Sequence, residues 1–170
     1  MCKLILIRFS FVVMLAFTAT SCGVYSFTGA SIPPEAKTIS ILHFANNAPL
    51  VNPTLSQVFT DILRDKFINQ TRLSLVPRNG DLHLEGEIIG YSVAPVAIQS
   101  NDQAALNRLS ITVNVRYTNK ATPAQDFETN LTRFAEFSSS QSLSDVQNNL
   151  VEQISKDLAD DIFNRSVANW

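Results

Sequence analysis

Cysteine is almost absent: the 170 residues hold two, Cys2 and Cys22. Cys2 lies in an apolar leader and Cys22 stands at its end, so no pair remains for a disulfide and the domain must be held by its core. Glycine is also scarce, at five, too few for a phosphate-cradling loop, and no Gly-x-Ser-x-Gly elbow or cysteine nucleophile is visible. These gaps leave no enzyme signature and call for no cofactor. Long apolar runs are missing after the leader, so no transmembrane helix is expected. Basic excess is missing too, which argues against nucleic-acid binding.

What is present begins with the leader. Lys3 and Arg8 precede the apolar run Phe9–Phe17, which has signal-peptide length. Ala19, Thr20 and Ser21 are small, and Cys22 follows. This pattern suits lipoprotein processing, in which the thiol receives diacylglycerol and the bond before it is then cut. The usual leucine three residues before the cysteine is Ala19 here. Cleavage as an ordinary secretory signal, with Cys22 a plain thiol, is the competing reading. We expect residues 1–21 to be a signal peptide, residues 22–37 a lipidated tether and residues 38–170 one domain. Removing Lys3 and Arg8 leaves 11 basic against 15 acidic side chains, a net charge of −4. Attachment to a membrane then rests on the covalent lipid of Cys22, whose several acyl chains (palmitate, for example) anchor stably.

Gly23, Gly29, Pro33 and Pro34 break regular structure in the tether. Thr38–Ala45 reads as a strand. Asn52-Pro53 reads as a helix cap, and the apolar stripe Leu55, Val58, Phe59, Ile62, Leu63 and Phe67 continues to about Asn69. A short strand, Arg72–Val76, follows. Asp81–Val93 is a longer strand whose apolar parity switches from Leu82, Leu84 and Ile88 to Ile89, Tyr91 and Val93. Gly86 and Gly90 flank the switch, which predicts a bulge. Leu109, Ile111, Val113, Val115 and Tyr117 alternate without a fault, with Phe127–Phe137 as hairpin partner. Leu143, Val146, Leu150, Ile154, Leu158 and Ile162 mark a second amphipathic helix, reaching about Val167. The order β-α-β-β-β-β-α predicts an α+β two-layer sandwich, with two amphipathic helices on one face of a small mixed sheet. A right-handed crossover makes the first two strands parallel, and the rest are expected to be antiparallel.

Two constellations stand out. His83, Glu85 and Glu87 project from one strand face and could meet a metal, but a solvated sheet face is the simpler reading, and no metal site is assigned. Arg108, Ser110, Thr112, Asn114, Arg116 and Thr118 also point one way. If helices cover the other face, this one is left without a partner in the domain. It is then either merely solvated or a hydrophilic docking surface, with Arg108 and Arg116 able to pair with phosphates or carboxylates. Arg133, on the neighbouring strand, could join them.

Several stretches carry a resemblance. They are Cys22-Gly-Val-Tyr-Ser-Phe, Thr38-Ile-Ser-Ile, Asn52-Pro-Thr-Leu-Ser-Gln, Asn107-Arg-Leu-Ser-Ile-Thr-Val, Arg133-Phe-Ala-Glu-Phe-Ser-Ser-Ser-Gln and the ending Ala168-Asn-Trp. Their order resembles the Bacteroidetes branch of the LPS-assembly lipoprotein family, LptE. The resemblance implies a lipid-anchored protein at the periplasmic face of the outer membrane that plugs the large β-barrel LptD and helps move lipopolysaccharide into the outer leaflet. A barrel lumen is lined with polar side chains, so Arg108, Asn114, Arg116 and Arg133 are the candidate contacts to barrel or lipopolysaccharide. Two other functions stay open: an envelope lipoprotein binding a small ligand or polymer between sheet and helices, and a metal-dependent hydrolase centred on His83.

Overall fold

The computed structural model describes residues 32–50, 52–96 and 106–167. The expected signal peptide, Cys22 and most of the expected tether therefore lie outside the described residues. Among the described residues, nine segments of regular structure follow in order: β1 (Thr38–Ile41), β2 (Ala45–Asn46), α1 (Leu55–Gln70), β3 (Ser74–Leu75), β4 (Leu82–Val96), β5 (Leu106–Asn119), a short 3-10 turn (Pro123–Gln125), β6 (Phe127–Ser138) and α2 (Leu143–Val167). The strands form one sheet in the order β3-β1-β4-β5-β6, with β2 continuing along β4.

Local chemistry sets the boundaries. The Asn52 side-chain oxygen accepts the amides of Thr54 at 2.9 Å and Leu55 at 3.1 Å, satisfying donors that the first turn of α1 leaves free. The expected first strand, Thr38–Ala45, is divided in two. The chain spends three residues between Ile41 and Ala45 where β4 spends two between Leu84 and Glu87. The extra residue turns Phe44 inward, where it is fully buried, its ring 5.1 Å from that of Phe59 and its amide on the Thr60 hydroxyl.

The bulge comes where the parity switch places it. The β4–β5 register shifts between Ile88 and Gly90, leaving Ile89 as the extra residue. Without the shift, Tyr91 and Val93 would leave the helix-covered face.

β1 and β3 are parallel, as the crossover through α1 requires. The expectation that the remaining strands are antiparallel holds for β4–β5 and β5–β6 but fails for β1–β4, which are parallel. After β3 the chain crosses β1 and returns to the end from which it started. Val76 donates to Ile39 O at 2.9 Å, Asn79 takes a left-handed φ of 58°, and the Gly80 amide meets the Ser40 hydroxyl at 3.1 Å. A Cβ on Gly80 would lie 2.5 Å from Ser40 N, so only glycine lets the crossing pass so close to β1. The carboxylate of Asp81 fastens the return, accepting the amides of Lys37 and Thr38 and the Thr38 hydroxyl. Those bonds, the Lys37 amide foremost, hold its pKa below the ordinary 3.8.

Both helices lie on one face of the sheet. Leu55, Phe59, Leu63 and Phe67 of α1 and Ile154, Leu158, Ala159 and Ile162 of α2 are fully buried. They pack over Leu82, Leu84, Ile88, Leu109, Ile111, Val113 and Val115, which are buried as completely. Each such Leu, Ile or Phe side chain contributes about 1.5–3 kcal/mol through loss of apolar contact with water. The architecture is α+β: two helices on a mixed, open, six-stranded sheet.

Candidate functional site: the open face of the sheet

The side of the sheet away from the helices carries the even-numbered residues of β5, and no element among the described residues covers it. The registers show what stands beside each one. Near the start of β4, Arg116 is flanked by Glu85 and Glu128. Next come Asn114 between Glu87 and Asn130, Thr112 between Gly90 and Thr132, and Ser110 between Ser92 and Phe134. Arg108 lies between Ala94 and Glu136, and Leu106 between Val96 and Ser138.

These rows bond across strands. Thr112 Oγ1 and Thr132 Oγ1 are 2.9 Å apart, and Asn114 Nδ2 donates to Asn130 Oδ1 at 2.9 Å. The Arg108 guanidinium donates twice to Glu136 Oε1, at 3.1 and 2.6 Å, and stacks 4.0 Å from the ring centre of Phe134. Arg116 is 3.8 Å from Glu85 Oε1 and stays exposed. The face is therefore graded: charged at one end, uncharged and hydrogen-bonding in the middle, and at the far end an Arg108–Glu136 ion pair beside the apolar Phe134 and Leu106. Cross-strand pairing holds its side chains upright, which lowers the ordering cost of meeting a partner.

Of the four candidate contacts, Arg108, Asn114 and Arg116 share this face. Arg133 does not, contrary to the expectation from sequence. Its register partner is Ile111, on the helix-covered side, and it forms a two-point bond to Asp161 of α2, both contacts at 2.6 Å. The Asp161 carboxylate raises its pKa. Sequence inspection missed Asn130, Thr132, Phe134 and Glu136, which complete the face from β6.

His83, Glu85 and Glu87 do share a side of β4, but each is engaged elsewhere. His83 Nδ1 bonds the buried Ser40 hydroxyl at 2.7 Å, and its Nε2 lies 3.4 Å from Glu85. Glu85 faces Arg116, and Glu87 accepts from Asn47. Among the described residues, no group of three or more histidines, cysteines or acids is placed to hold a metal. Ser40, His83 and Glu85 follow one another like a nucleophile relay, yet Ser40 is fully buried and already accepts the Gly80 amide, so a substrate cannot reach it. His43 is exposed and bonds the Ser56 hydroxyl.

Among the described residues, the side chains between sheet and helices form one buried cluster. One groove of about 420 Å³ lies instead between α1 and α2, over Ile62 and Ala159, with Lys66 and Asp160 paired at 2.6 Å on its rim. No helix among the described residues is long and apolar enough to cross a membrane.

Among curated proteins, none matches the chain in sequence. Solved structures match the fold. A hypothetical protein from Chlamydia trachomatis is 9% identical, with a TM-score of 0.54 over 79% of this chain and 99% of that one. A protein from Xanthomonas campestris is 13% identical, with a TM-score of 0.51 over 80% and 91%. Rare lipoprotein B from Shewanella oneidensis is 16% identical, with a TM-score of 0.46 over 75% and 92%. The sequence profile of the lipopolysaccharide-assembly family LptE matches residues 36–166, from just before β1 almost to the end of α2. The chain belongs to the LptE lipopolysaccharide-assembly family.

Proposed function

We propose that this protein is a non-enzymatic, lipid-anchored subunit of the lipopolysaccharide translocon at the periplasmic face of the outer membrane. Its acylated Cys22 holds it to the membrane, and its open sheet face docks against the polar inner wall of the β-barrel LptD, which delivers lipopolysaccharide to the outer leaflet. One observation carries the reading. Both helices cover the same side of the sheet, and among the described residues nothing covers the Arg108–Thr118 side, whose Asn and Thr pairs stand in register for a hydrophilic surface. Uncharged amide and hydroxyl pairs suit a polar lumen, because they exchange bonds with a wall without the desolvation penalty of buried charge.

The test is co-purification of the barrel from solubilised outer membranes. Arg116→Glu and Asn114→Lys should lower barrel recovery while the domain stays folded, with the urea midpoint of Arg116→Glu lowered modestly because Glu85 and Glu128 flank the new acid. Full recovery with both variants would remove the docking role of this face. The alternative, a ligand held between sheet and helices, finds little support, since the residues there are fully buried against one another.

A further inference from the structure

Among the described residues, the outer edge of β6 is an unpaired sheet edge. β6 is the last strand of the sheet, runs for 12 residues, and pairs with β5 in one unbroken register. It contains no proline and no bulge, two of the devices that blunt an edge, and its charges are Glu128, Arg133 and Glu136. Other edges in the sheet do have them. β3 is two residues long with Pro77 just beyond it, and the free part of β4 contains Pro95.

Hydrogen-bond parity identifies the backbone groups that face outward. Lys120 N donates to Asp81 O at 3.0 Å, extending the β4–β5 register by one residue. Hydrogen-bonded pairs recur at every second residue of an antiparallel ladder, so the even-numbered residues of β5 bond to β4 and the odd-numbered ones to β6. On β6 the odd-numbered residues therefore bond inward. Glu128, Asn130, Thr132, Phe134 and Glu136 turn their N–H and C=O groups out, and all five are exposed. No group among the described residues bonds to these amides and carbonyls.

We propose that the Glu128–Glu136 edge receives an extended strand from a protein partner, which adds to the sheet beside β6. Charge selects the occupant. A second copy pairing about Thr132, the register that engages all five outward residues, would set Glu128 opposite Glu136 at both ends, and like charges directly opposed are destabilising. A strand with basic residues at those two positions is favoured instead. Glu128 is open to it, because the ion pair of the neighbouring Arg116 goes to Glu85, whereas Glu136 already holds Arg108 on Oε1 and offers its Oε2. Phe134, 48% exposed, offers an apolar contact between the two acids. Main-chain bonds supply affinity and these side chains supply selectivity. The proposal does not depend on the lipid anchor or on barrel docking.

The test uses purified ¹⁵N-labelled full-length protein and a synthetic peptide as long as the Glu128–Glu136 stretch, alternating valine and threonine with lysine at both ends. Addition should slow amide exchange at the five even-numbered positions by about tenfold or more, while the odd-numbered positions are slow from the start. The same peptide ended in glutamate, or N-methylated on the edge that faces β6, should not bind. Thr132→Pro removes an outward amide without removing a β5–β6 bond, so it should weaken binding about tenfold, with Thr132→Ala near parental affinity. The proposal is overturned if neither peptide binds, if the glutamate or N-methylated peptide binds equally well, or if Thr132→Pro changes nothing. It is also overturned if the even-numbered amides are already protected without peptide, whether at high dilution or only as the protein is concentrated.

Discussion

The pair Arg133–Asp161 decides whether Arg133 belongs to the docking face or to the fold. Its two contacts of 2.6 Å join β6 to α2, with side-chain exposures of 49% and 25%. Exposed ion pairs couple by about 0.2–1 kcal/mol, and the two-point geometry places this one near the top of that range. The perturbation is a double-mutant cycle of Arg133→Ala, Asp161→Ala and both together, read by urea unfolding at low salt. With a slope of about 2 kcal/mol per molar urea, each single change should lower the midpoint by about 0.5 M, and the double change should lower it by little more. In 1 M salt, where screening acts within about 3 Å, the coupling should shrink. Barrel co-purification should survive all three variants. Additive single effects would refute the bond, and loss of the barrel with Arg133→Ala would refute the placement of Arg133 on the other face.

Other outcomes follow from the same geometry. Gly86→Ala should destabilise the domain by about 1–3 kcal/mol or prevent folding, because the new Cβ would meet Asn114 O at 2.1 Å and a ring atom of Phe44 at 2.5 Å. Trimming Phe44 should not rescue it, since the nearer obstacle is backbone. An unchanged urea midpoint for Gly86→Ala would contradict this packing. Asp81 has a depressed folded pKa, so its stabilising contribution is present above about pH 4, its unfolded range, and is lost as pH falls through the folded value. Asp81→Asn should therefore be less stable at neutral pH and lose less on acidification. Acid limbs of equal steepness in the two proteins would argue against the role given to Asp81.

Much of this was legible in the sequence because side-chain periodicity is a direct record of burial. The helix stripes over residues 55–67 and 143–162 gave both helices nearly to the residue. The parity switch between Leu82 and Val93 located the bulge. The strict alternation of β5 separated its covered face from its open one before any partner strand was known.

What sequence could not supply was relative placement. Whether β4 returned parallel to β1 depended on a loop of a few residues crossing so close that Gly80 admits no side chain. The grouping of Arg133 with Arg108 and Arg116 ignored a signal that was available. Arg133 shares its parity with Phe127, Leu131 and Phe137, and apolar residues of one parity mark the covered face. The same parity puts Asn130, Thr132, Phe134 and Glu136 on the open face, but which residue of β5 each one stands beside needed the β5–β6 register.

Site-specific photocrosslinking in intact cells tests the docking face most directly. A photoreactive residue at Thr112, in the middle of the open face, should crosslink to an integral β-barrel protein of the outer membrane. The same residue at Asn149, exposed on α2, should not. Barrel crosslinks from Asn149 with none from Thr112 would mean that the helices meet the partner and that the polar sheet face only meets water.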